Sequence, residues 1–364
     1  MKLFYIVNIG LHLQTARSVQ LLSNAQTFYQ LLGDDFRLYC PDKSELPFAR
    51  YLSNGGTHRE NSLKRKMFFH FEIFRLLLLK KRDKVIYSRN ISIVLLAILL
   101  GYQCVWEAHD KLHNFNSVVL NWLKSRILLI VSISEALKNH LVQTYGITSN
   151  KIFVAHDGVF VEDYDKIRSI NVNTLRSELG IPQDRYIIMH TGSLYQGRGM
   201  EFFKTIAKEY LEILFIQVGG TKKDIQKWRD IFKTYTNIYF YPHQNHDTLI
   251  KFQLSADALF LPMTEKNPIW WCTSPMKLFE YMATGLPIIS TNIGSISEVL
   301  NDTNSITFSP NDEQSLVNAV KFCINNQNAA QKIGLNALQL VRSKYTWEKR
   351  CKKIIRIIKT RIND

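Results

Sequence analysis

Short apolar runs alternate along this chain with longer stretches whose apolar residues recur every three or four positions. The runs Leu3–Val7, Phe36–Cys40, Val85–Ser88, Gln103–Glu107 and Ile127–Ser132 predict buried strands, and Lys151–Ala155 closes the set. Ala16–Leu32 carries a helical period between the first two. A second series starts at Tyr186–Thr191 and continues through Leu214–Val218, Asn237–Tyr241, Ala258–Leu261, Pro287–Ser290 and Ser305–Phe308. Strands separated by helical segments predict βαβ units and parallel sheets. A polar stretch after Asp157-Gly158-Val159, reaching about Asn173, predicts a junction between two α/β domains that face each other across a cleft. The first domain is expected over 1–165 and the second over 166–345.

At 364 residues and 46% hydrophobic, the chain is long and apolar enough for two cores. Its five cysteines are scattered and lack CxxC spacing, so reduced thiols in a cytoplasm are expected rather than a disulfide framework or zinc site. Met1-Lys2 leads straight into a strand-like run, with no signal-peptide pattern, and Ile93–Gly101 is shorter than the about 20 residues that span a bilayer. A cytoplasmic protein is expected, soluble or peripheral on the inner face of the cell membrane. The net charge of +15 suits phosphate-bearing substrates or an anionic membrane surface. No ribonucleoprotein motif, zinc finger or helix-turn-helix pattern supports nucleic acid as a partner.

The richest string runs from Ser274 to Ile289, SPMKLFEYMATGLPII. Ser274 suits an N-cap, Pro275 a first helical turn and Gly285 the C-terminus, and Pro287 opens a buried strand. Lys277, Glu280 and Tyr281 fall on one helix face. A carboxylate there suits paired hydroxyls, such as those of a ribose. The loop Gly192-Ser193-Leu194-Tyr195-Gln196-Gly197-Arg198-Gly199 follows a strand. Its glycines let backbone N–H groups approach an anion, and Arg198 adds a cationic fork. His109 ends the strand string Val105-Trp106-Glu107-Ala108-His109-Asp110, with Glu107 and Asp110 as alternatives for acid–base or orienting work. Gly10 lies in the Asn8–Thr15 loop, near Arg17 and Ser18, before the first helix. Trp270 and Trp271 are read as pocket walls, with core packing for at least one.

Together these strings resemble the retaining glycosyltransferases of family 4, which have the GT-B fold of two facing Rossmann-like domains. Further landmarks stand in the expected order: Tyr87-Ser88-Arg89-Asn90, Val131-Ser132-Ile133-Ser134, Ala155-His156-Asp157-Gly158-Val159, Val218-Gly219-Gly220 and Ser297-Glu298-Val299-Leu300. The resemblance implies that Glu280 holds the ribose of a nucleotide-sugar donor and that His109 meets the donor sugar. In that family an arginine and a lysine of the glycine-rich loop grip the diphosphate; here Ser193 and Arg198 stand there. Cys272 stands where the family has another glutamate, leaving Thr273 and the Ser274 backbone for the sugar side. Gly10 stands where the family often has a glycine pair. The segment 346–364 is expected as a helix packing back toward the first domain.

The expected activity is retaining transfer of a sugar from a nucleoside-diphosphate sugar, commonly UDP-linked, to a glycan or lipid-linked glycan in cell-surface polysaccharide or lipopolysaccharide assembly. His109, Arg198 and Lys277 are the expected catalytic groups. Gly10, Gly192, Ser193, Arg198, Thr273, Ser274, Lys277 and Glu280 are the expected donor contacts. No DxD pattern or His–carboxylate ligand spacing is visible, so no metal or cofactor is expected, and Arg198, Lys277 and helix-start amides would balance the leaving charge. Two basic–apolar segments, Lys64–Arg82 and Lys349–Lys359, suggest contact with anionic lipid or core packing. A nucleotide-sugar epimerase on the same fold and a non-catalytic sugar-nucleotide or glycan-binding subunit are the alternative functions.

Overall fold

In a computed structural model, residues 1–11, 15–52, 62–80, 83–112 and 116–363 are described; for 62–66 only the backbone is. The chain divides into two compact units, Met1–Asp157 with Trp347–Asp364, and Gly158–Thr346. The division falls after Asp157, ahead of the expected boundary at 165, because Val159 bonds to Tyr345 and Val161 packs in the second core.

The first unit holds a seven-stranded sheet. Its strands are β1 (Lys2–Ile6), β2 (Phe36–Cys40), β3 (Ala49–Tyr51), β4 (Lys84–Ser88), β5 (Gln103–Ala108), β6 (Leu129–Ser132) and β7 (Ile152–Val154). Their order is β3-β2-β1-β4-β5-β6-β7, and every pairing is parallel. The unexpected member is β3. Three residues at a sheet edge, Ala-Arg-Tyr, are too few to display a strand period.

The second unit holds six parallel strands: β8 (Ile187–Thr191), β9 (Leu214–Val218), β10 (Ile238–Tyr241), β11 (Ala258–Leu261), β12 (Ile288–Thr291) and β13 (Ile306–Phe308). Their order is β10-β9-β8-β11-β12-β13. Alternation along the strands feeds two cores. Ile187, Met189, Leu214 and Ile216 face one, and Ile188, Phe215 and Phe260 face the other.

Each sheet reverses its winding beside its first strand. β1 lies between β2 and β4, and β8 lies between β9 and β11. Loops leaving the carboxyl ends of strands at such a reversal have no crossover helix above them and can meet a ligand.

The terminal helix Trp347–Asn363 belongs to the first unit, with Cys351, Ile354, Ile355 and Ile358 buried in its core. Its apolar side is therefore spent on packing, which removes this segment from the lipid-contact reading. Among the described residues, no helix is long and apolar enough to cross a membrane.

Candidate active site

In the second unit, β8 ends at Thr191 and Gly192 turns the chain at a φ of 119°, a conformation that suits glycine. The helix Met276–Thr284 follows the loop after β11. Its Lys277 reaches the same turn, and a Cβ on Gly192 would lie 3.9 Å from Lys277 Nζ. Pro275, not Ser274, takes the cap position, and it makes no side-chain capping bond. Gly285 ends it in the left-handed conformation.

Lys277 Nζ lies 2.6 Å from His190 Nε2 and 3.4 Å from the Thr191 carbonyl oxygen. The Gln217 amide nitrogen donates to the Gly192 and Val218 carbonyls at 2.9 and 3.0 Å, so its oxygen faces His190 Nδ1. This network assigns the hydrogen to Nδ1 and leaves Nε2 to accept from the lysine. Burial and Lys277 hold the His190 imidazole well below its ordinary value. Burial and Arg198 do the same for the Lys277 ammonium.

Arg198 stacks on the Tyr195 ring, 4.4 Å from its centroid, and donates to that hydroxyl. Its Nε is buried with no hydrogen-bond partner, and burial lowers its pKa to about 10. Among the described residues, no carboxylate lies within ion-pair distance of Lys277 or Arg198. Two partly desolvated cations without a counter-anion are costly, and a bound anion would offset that cost. Ser193 is exposed beside them. The other loop glycines have a packing reason. A Cβ on Gly197 would lie 2.3 Å from the Asn267 backbone nitrogen, and one on Gly199 2.4 Å from Pro262.

Glu280 stands one helical turn beyond Lys277. The Gln253 amide nitrogen lies 3.4 Å from its carboxylate, and burial raises its pKa above the ordinary glutamate value. Gln253 is itself held, donating to Thr191 Oγ1 and accepting from Tyr164. Thr273 and Ser274 are buried, Cys272 completely so, and Ser295 donates to the Thr273 carbonyl. Trp270 packs against the core on that side. Lys277, Gly192 and Glu280 thus converge at the β8/β11 reversal, with Arg198 close enough to depress Lys277.

In the first unit, His109 follows β5, and its Nε2 lies 2.5 Å from Glu107 Oε1. Glu107 is fully buried. It also accepts from Gln20 at 2.7 Å and from the Tyr87 hydroxyl, and Arg350 lies 3.4 Å away. Burial would raise the carboxyl, but Arg350 and then His109 hold it well below the usual range. Burial and Arg89 push His109 down to about 4, so the imidazole is neutral at neutral pH. Glu107 therefore orients His109 and has little acceptor capacity left for acid–base work. Gly10 lies before the first helix; its carbonyl accepts from Ser18, while Thr15 caps the helix through the Ser18 amide. His12, Leu13 and Gln14 of that loop lie outside the described residues.

Sequence reasoning missed His190, Gln217, Gln253 and Arg350. Of these, His190 and Gln217 carried a local signal, each a polar residue inside an apolar strand run.

Residues 171–340 match the family model of the glycosyl transferases group 1. An uncharacterised glycosyltransferase of Methanocaldococcus jannaschii is 21% identical over 241 residues, 63% of this chain and 59% of that protein. The chain thus spans less than two thirds of that relative's length. A glycosyltransferase structure from Rickettsia africae superposes with a TM-score of 0.80 at 16% identity, covering 100% of this chain and 99% of that one. The Anabaena HepE structure in complex with UDP and glucose superposes with a TM-score of 0.77 at 15% identity, covering 99% of each chain. These structures share the GT-B fold with this chain. That family match lies within the second unit, Gly158–Thr346.

Proposed function

We propose that this protein is a retaining glycosyltransferase that uses a nucleoside-diphosphate sugar, UDP-linked, and that the diphosphate binds where Gly192, Arg198 and Lys277 meet. The observation that carries the reading is the pair of cations, Lys277 and Arg198, with no carboxylate partner among the described residues. A diphosphate supplies the missing charge. As the bond from the sugar C1 to the phosphate oxygen breaks, negative charge grows on that oxygen, and cations placed beforehand stabilise it more than they stabilise the ground state. In this reading no metal is required for that step.

Glu280, whose carboxylate is met by the Gln253 amide at 3.4 Å, takes the two ribose hydroxyls. Within the first unit, His109, neutral and oriented by Glu107, offers a hydrogen bond to a sugar hydroxyl, and Gly10 with the first helix start offers backbone contacts to a substrate. Retention follows if the acceptor oxygen bonds to C1 on the face the phosphate leaves, its proton passing to the departing phosphate oxygen. The proposed acceptor is a glycan or lipid-linked glycan of cell-surface polysaccharide or lipopolysaccharide assembly.

The test is a transfer assay with UDP-sugars and glycan acceptors, reading the anomeric configuration of the product by NMR. A product with the donor's configuration supports the proposal. Inverted product, or a sugar isomerised without any acceptor, overturns it, the second outcome favouring the epimerase.

A further inference from the structure

The helix Ser62–Leu78 in the first unit has two apolar sides. Phe69, Ile73 and Leu77 are buried against the unit. Met67, Phe71, Phe74 and Leu78 follow three- and four-residue spacing on the opposite side and are 66%, 58%, 37% and 58% exposed. Phe68, beside this stripe, is 40% exposed. One helix showing water three phenylalanines, a methionine and a leucine is not the ordinary scatter of surface apolar residues. A contiguous patch of this kind marks something that covers it.

The charge around the stripe selects the occupant. From Ser62 to Arg82 the sequence holds seven basic residues, Lys64, Arg65, Lys66, Arg75, Lys80, Lys81 and Arg82, and a single acidic one, Glu72. Glu72 is already paired with Arg75 at 3.5 Å. A second copy docked on the same stripe would bring like basic clusters together, on a chain whose net charge is already +15. An anionic lipid surface fits both features. Its charge is opposite to that of the segment's sequence, and its acyl boundary takes phenylalanine and methionine side chains to a depth of about 5–10 Å. No spanning segment is needed.

We propose that the exposed side of the helix Ser62–Leu78 is a docking surface for an anionic lipid bilayer, with Met67, Phe71, Phe74 and Leu78 inserted at the interface. The inference rests on this helix alone and does not depend on the donor site.

The experiment uses the full chain with phosphatidylcholine vesicles and with vesicles containing phosphatidylglycerol, separated by flotation at low and high salt. Binding is expected only to the anionic vesicles and is expected to weaken with salt. The triple variant Met67→Ser/Phe71→Ser/Leu78→Ser alters only exposed positions, and circular dichroism checks that it folds. It is expected to bind at least about tenfold more weakly, because the apolar contribution to interfacial binding scales with buried area. All five native cysteines are buried, so an environment-sensitive dye on Phe71→Cys reports this site. Its emission should shift to the blue on anionic vesicles. Absence of vesicle binding, equal binding by the triple variant or an unshifted dye would each overturn the proposal. So would self-association without lipid that the triple variant abolishes, which would assign the stripe to a second copy.

Discussion

Lys277 donates to a neutral imidazole, His190 Nε2 at 2.6 Å, where a buried lysine would ordinarily meet a carboxylate. The imidazole holds the ammonium in place without neutralising it. The positive charge beside Gly192 stays available to a ligand, and its protonation is sensitive to what binds there.

Replacing His190 by Phe should leave the fold intact and loosen Lys277. We expect KM for the nucleotide sugar to rise about tenfold, roughly 1.4 kcal/mol of lost binding. His190→Gln, which keeps an acceptor near Lys277, should recover part of it. Steady-state kinetics on the three proteins checks this, and an unchanged KM in His190→Phe would deny His190 a positioning role.

The depressed Lys277 pKa gives a second expectation. An anion next to the amine favours its charged form, so pyrophosphate binding at alkaline pH should take up a proton. Titration calorimetry in buffers of different ionisation enthalpy measures that uptake. It should vanish in Lys277→Met. In the free protein the same depression means that the unfolded chain binds more protons than the folded one between the folded and unfolded pKa values of Lys277. Its contribution to stability therefore rises with pH across that window.

Glu280→Ala should lower kcat/KM for the nucleotide sugar by about 10- to 100-fold while leaving pyrophosphate affinity little changed, as expected of a charged hydrogen-bond acceptor for ribose. Comparing the two ligands separates ribose recognition from diphosphate recognition. Equal loss of both would mean that Glu280 acts on Lys277 rather than on the ribose.

Arg350 is 3% exposed and faces Glu107 and Asp157. Arg350→Met should destabilise the protein by about 3–5 kcal/mol in urea unfolding, since it leaves two buried carboxylates without their cation. Asp157, raised to about 6 chiefly by burial, binds its proton more tightly folded than unfolded. Its contribution to stability is present below its unfolded value and is lost as pH rises through about 6. His109 has the opposite sign. Lowered to about 4, its contribution grows as pH rises from there toward its unfolded value. Asp157→Asn should therefore steepen the rise in stability between these limits, as read by melting temperature against pH.

The strands were legible because parallel strands buried on both faces read as continuous apolar runs, as Ile187-Ile188-Met189 and Leu259-Phe260-Leu261 do. The helix Met276–Thr284 was legible from Gly285 and Pro287, although its start fell one residue later than the Ser274 cap implied. The partners of the site residues were not legible. His190 sits 87 positions from Lys277 and Arg350 more than 240 from Glu107, and only the sheet order brings such residues together. The basic–apolar pattern of Lys349–Lys359 left lipid contact and core packing both open, and Ile354 and Ile358 are buried in the first unit's core.

The most direct test of the central claim is a crystal structure of the protein with UDP. The account expects the two phosphates at the Gly192 turn, within hydrogen-bond range of Lys277 Nζ and the Arg198 guanidinium, with the ribose hydroxyls on Glu280. Phosphates bound elsewhere, with Lys277 still on His190 and Arg198 still on Tyr195, would contradict it.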